Sequence, residues 1–183
     1  MSSHWLIAAC LLALASATGV HAQDWDGWRV TLETADGEVV EIATLSGEGA
    51  GYDVEMANTS FSDHFLSMRP FRCIEGPEKT WCHVPYPYEI ARDTSAELTD
   101  LEYDFLFVWK GKGDYGINMW NGVYYVLEEA GGSYLGRMHE MDMDILAVPP
   151  PAGELRPIGE FDLEPADPDS HWLPTLRILP PER

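Results

Sequence analysis

The sequence predicts a mainly β domain: an antiparallel meander that forms a small barrel or sandwich, with one helix and an extended, proline-rich C-terminal segment. Three pairs of strand-like runs flank short turns that contain glycine, which is the pattern of β-hairpins. Only one stretch carries helical spacing, and proline becomes frequent after Ala147. Successive hairpins with so little helix favour an all-β architecture.

The first predicted hairpin joins residues 28–34 to residues 38–43. Both runs are strand-like, and they flank Asp36-Gly37. Glycine tolerates the positive φ that a tight hairpin turn requires. A third strand is predicted at residues 52–56, after a glycine-rich turn at 47–51.

A second hairpin is predicted between residues 65–74 and 80–84, through the turn Glu75-Gly76-Pro77-Glu78. This pairing places Cys73 and Cys82 nearly opposite each other, within the reach of a cross-strand disulfide. A metal pair is the alternative, but the C-x8-C spacing lacks the close cysteines of zinc knuckles. The sequence therefore predicts a disulfide bond between the two.

The predicted helix begins near Thr94, because Thr94 and Glu97 have the spacing of a capping box. Gly111 supplies a stop signal. A strand over residues 105–109 is the alternative, since aromatic and β-branched residues suit a sheet. The apolar face that favours the helix consists of Leu98, Leu101, Phe105, Val108 and Trp109.

A third hairpin is predicted from residues 122–128 to a long return strand at 133–146. Residues 148–171 are rich in proline and acidic residues, so they are expected to run over the surface in extended form. A short apolar patch follows at 172–179. A calycin-like barrel of eight strands is one closed form of this meander, although Trp25-Asp26-Gly27-Trp28 lacks the Gly-x-Trp spacing of lipocalins.

Residues 1–22 have the pattern of a secretory signal peptide. An apolar run is followed by the small-x-small ending Val20-His21-Ala22, which a signal peptidase accepts. The run is too short for a membrane span, which needs about 20 apolar residues. We therefore expect an exported protein of the periplasm or cell exterior, in which residues 23–183 form one domain without a membrane span.

Acidic residues dominate the composition. The chain has 31 acidic and 11 basic residues and a formal net charge of −20. Such a field repels phosphate backbones and attracts cations and basic proteins. This predicts no nucleic-acid partner, although acidity that only keeps an exported protein soluble is the simpler interpretation.

The run from Arg137 to Asp144 is the strongest candidate for a metal site, because a strand would divide it into two faces. The structural alternatives are methionines in the core with a histidine at its rim, and a solvated acidic face. If either structural alternative is correct, the run needs no metal ion or other cofactor. The soft face, suited to Cu(I), consists of His139, Met141 and Met143, and the hard face, suited to Ca²⁺, of Glu140, Asp142 and Asp144.

Aromatic side chains are the candidate contacts for a ligand, since exposed rings stack on small molecules and on partner proteins. We single out Trp81, Tyr86, Tyr88 and Trp120. The expected function is a non-enzymatic protein that binds a small ligand or a metal ion on a β scaffold. One alternative is an acidic protein that inhibits a basic partner, such as a cell-wall hydrolase or a toxin. Another is a hydrolase with a spatially assembled site, although no catalytic motif is present.

Overall fold

The computed structural model describes residues 23–182, so the predicted signal peptide at residues 1–22 lies outside the described residues. A single α-helix in this range, α1 (Thr99–Asp104), lies between the sixth and seventh strands. No helix among residues 23–182 is long and apolar enough to cross a membrane. The strands are β1 (Trp28–Glu33), β2 (Val39–Ser46), β3 (Asp53–Met56), β4 (Ser62–Leu66), β5 (Arg69–Glu75), β6 (Lys79–His83), β7 (Phe107–Gly111), β8 (Gly122–Glu129), β9 (Tyr134–Met141), β10 (Glu164–Pro165) and β11 (Thr175–Leu179).

All of these strands belong to one antiparallel sheet. Its order is β3-β2-β1-β11-β9-β8-β7-β6-β5-β4, and β10 also pairs with β9. Strands β3 and β4 are the edges, and no ladder within residues 23–182 joins them, so the sheet is not closed into a barrel. The mainly β, antiparallel class is confirmed, whereas the barrel or sandwich is not.

The three predicted hairpins are present in the sheet. Strand β1 pairs with β2, β5 with β6, and β8 with β9. In the first turn Gly37 has a φ of 85°, a conformation that favours glycine. The sequence does not predict β4, because three polar residues, Ser62-Asp63-His64, begin it.

The helix is much shorter than the apolar spacing predicts. It has six residues, and residues Phe107–Gly111 form a strand, as the alternative predicted. Thr94 does not cap a helix. Its hydroxyl donates to the Ala50 carbonyl at 3.0 Å and accepts from the Trp25 indole N–H at 3.2 Å. Strand β7 lies between β6 and β8, where aromatic and β-branched residues pack well.

Strand β9 ends at Met141, before the predicted end at residue 146. The Asp142 carboxylate accepts from the Asp144 N–H at 2.9 Å and begins the 3₁₀ turn Met143–Ala147. The extended course of residues 148–171 is also not confirmed, because two further 3₁₀ turns, Glu160–Asp162 and Pro168–Ser170, interrupt this segment.

Apolar side chains cover both faces of the sheet. The main core contains Trp81, Tyr125 and Met138, and we call this face the inner face. Neighbouring residues such as Tyr124 point to the opposite face, the outer face. Two smaller clusters lie there. The first includes Tyr103, Leu106, Tyr124, Met141, Met143, Leu146 and Ile158, and the second consists of Cys73, Cys82 and Val108.

The predicted disulfide is present. Cys73 and Cys82 lie directly opposite each other in the β5–β6 pair, with their Cα atoms 4.0 Å apart, and the two sulfur atoms are bonded. Both side chains are buried. A disulfide that closes a short loop contributes about 2–3 kcal/mol to the free energy of unfolding. It therefore fixes the register of β5 and β6 on the outer face.

Strand β11 lies in the middle of the sheet although it is the last strand of the chain. It pairs with β1 on one side and with β9 on the other. Within the sheet, β1–β3 and β4–β9 are therefore joined only through β11 in the described residues. Its side chains Leu176 and Ile178 are fully buried in the main core.

We expect Leu176→Ala to lower the free energy of unfolding by about 2–5 kcal/mol, because it leaves a cavity beneath the strand that joins the two halves. Arg177→Ala is the control in the same strand. It removes a partly exposed ion pair with Glu33 and should cost about 1 kcal/mol or less. Urea denaturation measures both losses, and equal losses would contradict this role of β11.

Candidate functional site

A cleft of about 620 Å³ opens on the outer face. Its walls are the β4–β5 turn with the start of β5, the loop at residues 84–88, the loop at 117–119 and the 3₁₀ turn Met143–Ala147. These segments are far apart in the sequence. Most of the lining is apolar and includes Phe71, Val84, Ile117, Met119, Met143 and Leu146.

The floor of the cleft lies where the two outer clusters meet. Phe71, Val84 and Ile117 pack against the disulfide cluster. Met143 and Leu146 belong to the other cluster and are 1% and 7% exposed. The disulfide holds β5 against β6 beneath the part of the floor that Phe71, Val84 and Ile117 form.

Two hydrogen bonds fix the walls to one another. The Tyr88 hydroxyl donates to the Leu146 carbonyl at 2.8 Å and joins the 84–88 loop to the 3₁₀ turn. The Ser67 hydroxyl accepts from the Ile117 N–H at 3.0 Å and joins the β4–β5 turn to the next loop. Gly116 has a φ of 85°, which favours glycine, and a Cβ there would lie 2.7 Å from the Ser67 Oγ and displace it. Both hydroxyls are thus engaged in holding the cleft together.

The β4–β5 turn adopts a costly backbone conformation beside the cleft. Leu66 pairs with Arg69 across it, and the two central residues, Ser67 and Met68, have φ values of 47° and 64°. Asn-Gly is the usual sequence of a two-residue turn with positive φ at both positions. Other residues destabilise such a turn by about 1–2 kcal/mol each. Met68 is 87% exposed, so core packing does not explain the cost. The turn instead presents an exposed methionine next to the cleft.

The four aromatic residues predicted to contact a ligand lie in different places. Tyr88 lines the cleft. The Tyr86 hydroxyl donates to the Leu155 carbonyl at 2.8 Å and holds the C-terminal segment. Trp81 is fully buried on the inner face, so it does not reach the cleft. Trp120 is 68% exposed and lies outside the lining.

The soft-metal candidates are largely packed into the protein. Met141 and Met143 are 4% and 1% exposed and belong to one outer cluster, as the structural alternative predicts. The His139 Nδ1 lies 3.0 Å from the Arg137 carbonyl oxygen. Binding of Cu(I) by these three residues stays a prediction.

The acidic candidates are separated. The Glu140 Oε1 lies 3.3 Å from the His171 Nε2 on the inner face, whereas Asp144 lines the outer cleft. Asp142 caps the 3₁₀ turn. Among residues 23–182, no three His, Cys, Asp or Glu side chains are grouped to hold a metal ion. Binding of Ca²⁺ here stays a prediction.

The hydrolase alternative needs a histidine paired with a serine or a carboxylate in an open cleft. Among the described residues two histidine–carboxylate pairs are present, His64–Glu75 at 3.1 Å and His171–Glu140 at 3.3 Å. Neither pair lines the cleft.

Helix α1 carries buried carboxyl groups that the sequence does not single out. The Glu102 carboxylate accepts from the Leu127 N–H at 2.7 Å and from the Tyr124 hydroxyl. Burial raises the pKa of Glu102, although both hydrogen bonds oppose that shift. A carboxyl group whose pKa is shifted by burial is a candidate for a functional role. Both oxygens of the Glu102 carboxylate already accept hydrogen bonds, and Glu102 does not line the cleft. We therefore infer a structural role for Glu102, which links α1 to β8.

On the inner face, residues 166–174 form a loop. Both ends of this loop form backbone hydrogen bonds to the same residue of β9. The Ala166 N–H donates to the Met138 carbonyl at 3.2 Å, and the Met138 N–H donates to the Pro174 carbonyl at 3.3 Å. The loop therefore leaves the sheet and returns to it at the same point, just before β11 begins.

This loop buries His171 against two neighbouring tryptophan rings. The ring centroids of Trp81 and Trp109 lie 6.0 and 5.9 Å from that of His171. His171 is 8% exposed. Burial lowers its pKa and the charge of Lys79 adds to this effect, while Glu140 acts in the opposite direction. The folded protein therefore favours neutral His171.

Comparison with known protein families, curated proteins and solved structures finds no match to this chain. The interpretation of the cleft therefore depends on its own geometry and charges.

We expect His171→Gln to reduce the loss of unfolding free energy between about pH 7.5 and 5.5. In the unfolded chain a histidine has a pKa of about 6.5, and in the folded protein the pKa of His171 is lower. The unfolded state therefore binds more protons than the folded state in this window. The stability that neutral His171 contributes is complete above the pKa of the unfolded chain, and it is lost as the pH falls toward the lower pKa of His171 in the folded protein. Urea denaturation at both pH values measures the difference, and an identical pH dependence in the two proteins would contradict it.

Proposed function

We propose that this protein is an exported, non-enzymatic binding protein whose outer cleft holds a small ligand with an apolar body. The observation that carries this proposal is the size and lining of the cleft. Its volume of about 620 Å³ lies within the range of small-molecule sites, about 300–1,000 Å³. Such sites are mostly apolar with a few polar groups, and this lining has the same composition.

The contacts that hold the cleft in shape favour binding of a ligand. The disulfide fixes its floor, and the hydroxyls of Tyr88 and Ser67 fix its walls. If a site is formed before the ligand arrives, binding carries no entropy cost for ordering its loops, and the affinity is higher. The strained Ser67–Met68 turn also lies beside the cleft, and such strain is often found at functional sites.

The shape of the cleft favours an elongated ligand. A smaller pocket of about 320 Å³ adjoins it and includes Arg72 and His83. An apolar body that extends along β5 would contact both spaces. The lining residues that the two spaces share are Arg69, Phe71, Val84, Pro85 and Met119.

Export is the second part of the proposal. The pattern of residues 1–22 is that of a signal peptide, and disulfides persist in oxidising compartments. The bonded pair Cys73–Cys82 is compatible with such a compartment.

A neutral dye whose fluorescence increases in apolar surroundings, Nile red, tests the binding proposal. We expect saturable binding to the wild type and at least about tenfold weaker binding to Ala147→Trp, because an indole at this lining position occupies part of the cleft and blocks the ligand. Ala96→Trp is the matched control, since Ala96 is also exposed but lies outside the cleft. The absence of saturable binding, or equal weakening by both variants, would contradict the proposal.

A further inference from the structure

We infer that the cleft binds a zwitterionic amphiphile, that is, an apolar body joined to a head with one anionic and one cationic group. The inference rests on the proposed function and adds the chemical class of the ligand. Its basis is the pair of charged side chains in the lining, Arg69 and Asp144, which are both exposed at the cleft.

Neither of these charges is neutralised by the protein. Within residues 23–182, no carboxylate lies within 4.0 Å of the Arg69 guanidinium, and no basic group lies that close to the Asp144 carboxylate. Although they line the same cleft, the two side chains do not pair with each other. A ligand that enters between them meets two unpaired groups of opposite sign.

Arg69 is the only basic residue that lines the cleft among the described residues. Like Arg72 and the three lysines of residues 23–182, it forms no ion pair with a carboxylate. Arg69 lies at the start of a strand that lines the cleft, and it also lines the adjoining pocket. A guanidinium at such a junction is suited to bind an anionic group of a ligand. The arginines that do form ion pairs are Arg29, Arg92, Arg137, Arg156 and Arg177.

The other side-chain polar groups of the lining are neutral hydroxyls that also hold its walls. The Ser67 hydroxyl accepts a backbone N–H, and the Tyr88 hydroxyl donates to a backbone carbonyl. Recognition of a charged head therefore depends on Arg69 and Asp144. Because both are exposed while Met143 and Leu146 are buried in the floor, the head belongs at the mouth and the apolar body below it.

The net charge of the protein selects among heads that could bind. A net anion would be attracted by Arg69 but repelled by a chain of formal charge −20. A net cation would be attracted by the chain but would meet Arg69 inside the cleft. A zwitterion has no net charge and can place its anionic group at Arg69 and its cationic group at Asp144. Among charged heads it is therefore the one that neither charge excludes, and unlike a neutral head it gains from both charges.

Calorimetric titration with amphiphiles of one alkyl chain, kept below their micelle concentrations, tests the inference. The zwitterions are dodecylphosphocholine and a dodecyl carboxybetaine, which distinguish a phosphate from a carboxylate as the anionic group. Laurate, dodecyltrimethylammonium and dodecyl maltoside supply the anionic, cationic and neutral heads. We expect the wild type to bind at least one zwitterion about threefold to tenfold more tightly than each of these three.

Single-charge variants should change the order of affinities. Arg69→Gln should bind the cationic amphiphile more tightly than the zwitterion, and Asp144→Asn should lose the preference for the zwitterion over the anionic amphiphile. Arg137→Gln and Asp26→Asn change the net charge equally at exposed positions outside the cleft, and should keep the wild-type order. Circular dichroism of each variant verifies that it is folded.

The outcomes separate the inference from the proposed function. Equal affinity of the wild type for the neutral and zwitterionic amphiphiles would overturn the inference and leave the binding function intact. An unchanged order of affinities in Arg69→Gln and Asp144→Asn would also overturn it. Failure of every amphiphile and of the neutral dye to bind would overturn both. Binding of a single zwitterion would support the inference and identify its anionic group.

Discussion

The insertion of β11 between β1 and β9 is the constraint on which the rest of the structure depends. Strand β9 pairs with β8 on one side and with β11 on the other, so the chain that leaves β9 must return to the opposite side of the same strand. Residues 142–174 make this return. They begin on the outer face with the 3₁₀ turn Met143–Ala147 and end on the inner face in the loop at 166–174. One wall of the cleft is therefore the first part of the path that brings the last strand into the sheet.

Helix α1 stabilises that path with buried charges rather than with its own length. A helix of six residues is marginal by itself and depends on tertiary contacts. Asp100, which is fully buried, accepts from Arg156 of the returning segment at 2.7 Å. Asp104 accepts from Arg92 and from the Tyr52 hydroxyl, next to β3. The same short helix thus holds the returning segment and one end of the sheet. Removing Arg156 would leave the buried Asp100 carboxylate without its ion-pair partner.

The sequence predicts those parts of the fold that depend on local chemistry. Asp36-Gly37 fixes a hairpin because the turn decides which residues pair, and the turn after Glu75 places Cys73 opposite Cys82 for the same reason. Helical spacing over Leu98–Trp109 is misleading, because aromatic residues can also fill a strand between two others. Neither the central position of β11 nor the cleft is encoded locally. In the sequence Arg69 resembles any surface arginine, and it becomes a candidate only when its position in the lining of the cleft is visible.

Methyl NMR of the methionines tests the central claim most directly, because this chain has reporters in and away from the cleft. Met119 and Met143 line the cleft, whereas Met138 lies in the main core on the other face of the sheet. On addition of dodecylphosphocholine below its micelle concentration, we expect saturable shifts of the Met119 and Met143 methyl resonances while that of Met138 stays in place. Equal shifts at all three, or a shift of Met138 alone, would contradict the assignment of the cleft as the binding site.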